Sequence, residues 1–188
     1  MDFVRVLFYK AGKDRTIIDN LISGYTGIFN PGTGPYAHTE IWWPDEDGNY
    51  ENGECYTSSM RDGGVGTIVR PASEVLTHPE RWDFAEIVIS RERELSRLAT
   101  AIELARGEVA NNKGYDKLCI LSFFLPFRVH SSHKQICSEA VQTFLFNCGV
   151  FTRIEVLSPR RLSSRLTDMG YRLKPLSTEA PYSALVTP

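Results

Sequence analysis

Long apolar runs are the first thing this chain lacks. A membrane-spanning helix needs about 20 consecutive apolar residues, whereas the longest run here, residues 118–125, is interrupted by Ser122 and ended by Pro126. The opening MDFVRVLFYKAGKD carries an acid at position 2 and too short an apolar stretch for a secretory signal, so it reads as a first β-strand. The four cysteines, Cys55, Cys119, Cys137 and Cys148, include no C-x-x-C pair and are sparse for a disulfide scaffold. A reducing, cytoplasmic setting is the expectation. Charge of one sign is also missing: 21 Lys and Arg against 23 Asp and Glu give a net charge of -2. That balance argues against a phosphate-driven nucleic-acid binder. No glycine-rich phosphate loop is present, since RDGGVG has no following Lys-Ser/Thr. The acidic EIWWPDEDGNYE lacks EF-hand spacing and reads as a solvated connection.

What remains is the composition of an ordinary soluble domain, 42% hydrophobic and 23% charged over 188 residues. One domain is expected over residues 1–175, followed by a Pro-punctuated tail, 176–188, that is partly disordered. Strands are expected at residues 3–9, 37–43, 54–59, 65–70 and 84–89, with the second and third joined as a hairpin symmetric about Gly48 and Asn49. Helices are expected at 14–23, 71–76, 91–106, 115–124 and 137–148, and at SPRRLSSRLTDMG with Ser158 as N-cap and Pro159 at the first position. In the 91–106 helix Leu95, Leu98, Ala99, Ile102 and Ala105 share one face. The sum is an α+β domain, an antiparallel sheet early in the chain and helices mostly later.

Two stretches carry chemistry. In KQICSEAVQTFLFNCGV, Ala140, Val141, Phe144, Leu145 and Cys148 recur at helical spacing and Gly149 supplies a stop. Cys137 falls in the first turn, where the positive end of the helix dipole favours an anionic sulfur; the plainer reading is a small core residue. In PYAHTEIWW, alternation puts His38, Glu40 and Trp42 on one face and Thr39, Ile41 and Trp43 on the other. Glu40 is positioned to accept Nδ1–H from His38, and Thr57, Ser58 and Ser59 lie opposite on the returning strand. His78 reads as exposed. His130, His133 and Cys137 form an H-x2-H-x3-C array, with Cys119 nearby, that matches no standard zinc spacing. Neither a metal nor a cofactor is expected. Tyr36, Trp42, Trp43 and Phe29 are candidates for an apolar acyl groove or for core.

PYAHTEIWW, then ECYTSSMRDGGV, then GYDKLCILSFFLPF leading into KQICSEAVQTFL, resemble in order and spacing the circularly permuted NlpC/P60-like papain superfamily. The resemblance runs from about residue 3 to residue 166 and includes Tyr115-Asp116 ahead of the nucleophile and the Ser158-Pro159 helix start. It implies a permuted papain-like fold and a thiol hydrolase of the peptidase, amidase, ester or thioester type, with Cys137 as nucleophile and His38 as base. The substrate would be a small molecule, a peptide or an acyl lipid, and no cofactor would be needed. Many members carry a Glu where this chain has Ser58; viral-type members carry one two residues after the histidine, which here is Glu40. Glu40 is preferred as third member, because a carboxylate stabilises imidazolium better than a hydroxyl does; Ser58 is the alternative. Two rival readings stand beside the hydrolase: a papain-fold binding protein with weak or no turnover, and a zinc-stabilised domain.

Overall fold

The computed structural model describes residues 2–10, 36–60, 66–89, 92–117, 119 and 133–179. Its strands are β1 (Asp2–Lys10), β2 (Tyr36–Trp43), β3 (Glu54–Ser59), β4 (Gly66–Pro71), β5 (Trp82–Ile89), β6 (Gly114–Tyr115), β7 (Lys134–Gln135) and β8 (Leu173–Pro175). Six of them form one antiparallel sheet in the order β4-β3-β2-β1-β5-β8, and β6 and β7 pair in parallel beside it. The helices are α1 (Ala72–Val75), α2 (Glu92–Ala110), α3 (Cys137–Asn147) and α4 (Pro159–Asp168). The protein is therefore mixed α+β, an antiparallel sheet packed against a few helices, as the order of strand-like and helix-like segments implies.

Alternation along the strands builds two cores. Val4, Val6 and Phe8 of β1, Ile41 and Trp43 of β2, Tyr56 of β3 and Ala85, Ile87 and Ile89 of β5 face α2, α3 and α4. Their partners there are Ala101 and Ala105, the run from Ala140 to Cys148, and Leu162 and Leu166. Trp43 stacks on Phe144 with ring centroids 5.6 Å apart and planes 5° from parallel. Leu7, Trp42, Cys55, Trp82 and Phe84 point the other way and are covered by α1, Leu76 and Leu176. On that side Arg5 lies over the rings of Tyr50, Phe84 and Trp42, with Tyr50 closest at 4.2 Å. Burial on both faces explains why all eight residues of β2 are buried, polar ones included.

α3 forms where its apolar spacing predicts, and Gly149, at φ +80°, turns the chain out of it. α4 starts as Ser158-Pro159 predicts, with the Ser158 hydroxyl accepting from Arg161 N at 3.3 Å. Leu176 opens a 3-10 turn, Leu176–Thr178, and is fully buried.

Four expectations need correcting. Tyr115 belongs to β6, held by pairing with β7, and not to a helix; short strands are set by partners and carry no periodicity of their own. In α2 Ala99 is exposed and the inward stripe is Leu98, Ala101, Ile102, Ala105 and Val109, because the helix runs on to Ala110 and its face is fixed by contact with α3. Pro71 closes β4 and stands at the N-cap of α1, not inside it. Trp42 and Trp43 are core residues, which removes them as walls of an open acyl groove, whereas Tyr36, though buried, borders a cleft remote from Cys137. The expected helix at 14–23, most of 115–124, Phe29 and His130 lie outside the described residues.

Replacing Phe144 with Ala should lower stability to urea unfolding by about 3–5 kcal/mol, since it empties a packed ring site. Phe146, on the same helix but 42% exposed, should change it by about 0.5 kcal/mol or less when replaced with Ala. Equal effects would contradict this core.

Candidate active site

The site begins with an irregularity in β2. Tyr9 pairs with His38 but Lys10 pairs with Tyr36, so Ala37 has no partner on β1 and forms a bulge next to His38. On its other side β2 pairs with β3 only from Ile41 to Trp43, opposite Tyr56, Cys55 and Glu54. That register has the symmetry about Gly48 and Asn49 that the sequence predicts, but the ladder stops short of His38. Beyond Ile41 the strands are linked instead by Thr57 Oγ1, which donates to Thr39 O at 2.9 Å.

The segment leading to Cys137 enters beside this opening. Ser58 Oγ donates to Gln135 O at 2.8 Å, and Asp116 N donates to the same carbonyl at 3.2 Å. The Gln135 amide donates to Tyr56 Oη at 3.0 Å and to Glu108 Oε2 at 2.7 Å, and Lys113 Nζ holds Glu108 Oε1 at 2.7 Å. Side chains from β3 and α2 thus fix the backbone two residues before Cys137. At Gly66 a Cβ would lie 2.3 Å from Lys113 O, so only glycine lets β4 approach the turn that carries β6. α3 then starts at Cys137 with Ile136 at its N-cap and no capping side chain, which leaves first-turn N–H groups of Cys137 and Ser138 unclaimed by a cap. Ser138 Oγ donates to Leu157 O, and Gln142 exchanges two hydrogen bonds with the backbone of Glu155 at 2.7 and 3.1 Å. These tie the approach to α4 onto α3.

His38, Glu40 and Cys137 come together here, with 6%, 1% and 5% of their surfaces exposed. His38 Nε2 lies 3.0 Å from Glu40 Oε1 and 3.4 Å from Thr57 Oγ1. The Thr57 hydrogen goes to Thr39 O, so its oxygen can only accept from the ring; Nε2 therefore carries the proton and donates to Glu40. The carboxylate thus sits on Nε2 and not on Nδ1, which leaves Nδ1 to exchange a proton with the thiol. Burial alone would lower the His38 pKa. The charge of Cys137 and its hydrogen bond to the ring, followed by the hydrogen bond and charge of Glu40, outweigh that and raise it to about 9. The arrangement is a thiol, an imidazole and a carboxylate in series, with the imidazole held toward its protonated form by the groups on either side.

Ser58 stands apart from this series, since its hydroxyl is committed to Gln135 O. His78 is exposed, as expected. His133 is exposed too, and among the described residues no three His, Cys, Asp or Glu are grouped to hold a metal. Burial pushes Cys148 up to about 12 and holds Cys55 well above the usual thiol range, so neither is a thiolate at neutral pH. An open cleft of about 610 Å³ lies elsewhere, between Tyr36, Asp83, Tyr171 and Arg172, and reaches neither Cys137 nor His38. Thr57 is one of the three residues the sequence places opposite His38, and it is the one that meets the ring; Gln135, Glu108 and Arg70 were missed altogether. Only the place of Gln135 just before the candidate cysteine offered a signal. Among the described residues, no helix is long and apolar enough to cross a membrane. Compared with family models, curated proteins and solved structures, the chain matches none.

A raised histidine pKa has a defined sign in stability. With about 9 in the folded state against about 6.5 unfolded, the His38 contribution is full below about 6.5 and is lost as pH rises through about 9. Histidine NMR should find one ring titrating near that upper value, and Cys137→Ser should bring it down by about one unit or more. A parent ring titrating near 6.5 would refute the pairing.

Proposed function

We propose that the chain is a cysteine hydrolase of the circularly permuted NlpC/P60-like papain type, acting on an amide, ester or thioester carbonyl of a small molecule, peptide or acyl lipid. The observation that carries this reading is the series Cys137, His38, Glu40, with the Nε2 edge of the ring turned to Glu40 at 3.0 Å. The order of its parts, a histidine strand before a cysteine helix, is that of the permuted families. In the reaction the Cys137 thiolate attacks the carbonyl carbon, a C–S bond forms, and the electron pair moves to oxygen. The first-turn N–H groups of α3, which no side chain caps, would stabilise that oxyanion. Collapse breaks the bond to the leaving group, which takes a proton from His38. Water then attacks the acyl-enzyme, giving its proton to His38 and releasing the acid and the thiol. Glu40 stabilises the imidazolium in both halves.

A second reading draws on the same burial figures. With 5% of Cys137 and 6% of His38 exposed, a papain-like fold retained for binding, with little turnover, would also account for the site. The two readings separate on labelling by an electrophilic acyl probe. A hydrolase should be labelled at Cys137 near neutral pH, not at all after Cys137→Ala, and about 10²- to 10⁴-fold more slowly after His38→Ala. A folded parent that takes no probe would sink the hydrolase and favour the binding protein. Labelling that survives Cys137→Ala would remove the nucleophile assignment itself.

A further inference from the structure

Glu40 is the least accessible charge of the site, 1% exposed, on an interior strand of a sheet covered on both faces. A buried carboxyl beside one histidine has two forms of equal net charge: carboxylate with imidazolium, or carboxylic acid with neutral imidazole. Burial favours the neutral pair, because it removes both charges from a medium that solvates them poorly. In that form the Nε2–H bond has broken and an O–H bond has formed on Glu40, so the ring no longer offers a positive charge to the thiolate. Something must weigh against it.

The groups around the pair identify what does. Tyr9 of β1 lies opposite His38 in the ladder, Cys55 of β3 is a neutral thiol, and Cys137 of α3 faces the ring. From β4, Arg70 brings a guanidinium whose Nη2 is 3.4 Å from Glu40 Oε1, the same oxygen that His38 meets. Its side chain is 16% exposed, so its attraction to Glu40 is only lightly screened by water. Arginine keeps its proton at any pH the fold meets. Among the described residues it is the one permanent cation shown on Glu40. Register brings it there: Arg70 lies opposite Cys55, which lies opposite Trp42, the residue two beyond Glu40 on the same face of β2.

We propose that Arg70 is a positioning residue of this site, holding Glu40 as a carboxylate turned toward His38 so that the ring stays an imidazolium beside Cys137. The proposal rests on the hydrolase reading for its purpose, not for its test. Arg70→Gln and Arg70→Lys are made in the full chain and followed by histidine ¹⁵N NMR, with alkylation by iodoacetamide at neutral pH as a second readout. In Arg70→Gln the His38 midpoint should fall by about one pH unit or more, and alkylation of Cys137 should slow about tenfold. Arg70→Lys should restore most of both. In a Glu40→Gln background, Arg70→Gln should add nothing, since it acts through Glu40. If Arg70→Gln does not fold, Arg70→Met carries the same measurement.

A folded Arg70→Gln whose His38 titrates like the parent overturns the proposal. So does an undiminished effect of Arg70→Gln when Glu40 is already Gln, or an Arg70→Lys variant as impaired as Arg70→Gln. Acyl-probe labelling of the parent keeps the two ideas apart. A probe-silent parent in which His38 still responds to Arg70 defeats the hydrolase and leaves this role standing. A labelled parent with an unresponsive His38 does the reverse.

Discussion

The ladder between β2 and β3 lasts for three residue pairs, and the candidate site depends on where it stops. Had it continued, His38 would have faced Ser59 across a closed pair of strands, and a helix packed on the opposite side of the sheet could not have reached it. The bulge at Ala37 and the early end of pairing open that edge instead. Extra backbone in one strand increases local twist and re-aims the side chains beside it. Thr57 takes over the missing ladder bond, so the opening does not leave a backbone carbonyl unsatisfied.

Such an opening needs support on both sides. The stacked Trp43 and Phe144, with Tyr56 beside them, fix the angle at which α3 crosses the sheet. At its N-terminal end the helix is fixed by polar bonds instead, from Ser58, Tyr56 and Glu108 to Gln135 and from Gln142 to Glu155. Hydrophobic packing resists separation but tolerates sliding, whereas hydrogen bonds of fixed length and angle resist both. Together they set the start of α3 against β2. The Tyr56 phenol is held neutral by burial and by Glu108 beside it, so it stays a donor within this network across the neutral pH range.

The charges of the site are accommodated by sharing. Glu40 Oε1 meets both His38 and Arg70, and Thr57 offers a further acceptor to the same ring nitrogen. A single buried ion pair often fails to recover its desolvation cost. Several partners on one carboxylate lower that cost per charge and fix the ring's orientation as well. The same reasoning separates the cysteines: among the described residues Cys55 and Cys148 have no imidazole partner shown, and burial drives both toward the neutral thiol.

Much of this was legible in the residue order because its causes are local. Period-2 patterning gave β1 to β5, the Gly48-Asn49 centre gave the register of the hairpin, and Ser158-Pro159 and Gly149 marked helix ends, each through backbone geometry that neighbours in sequence decide. His38 and Glu40 also paired as alternation required. The rest is long-range. Tyr115 became a strand only because Gln135 lies beside it, and Ala99 faces out because α3 chose the inward stripe of α2. Arg70 and Gln135 join the site across 30 and 79 residues of chain, to Glu40 and Tyr56. The sequence by itself determined which strands and helices form and which side chains share their faces. Only the tertiary structure decided which faces meet, because that follows from where the β2–β3 pairing ends, and no run of neighbouring residues records it.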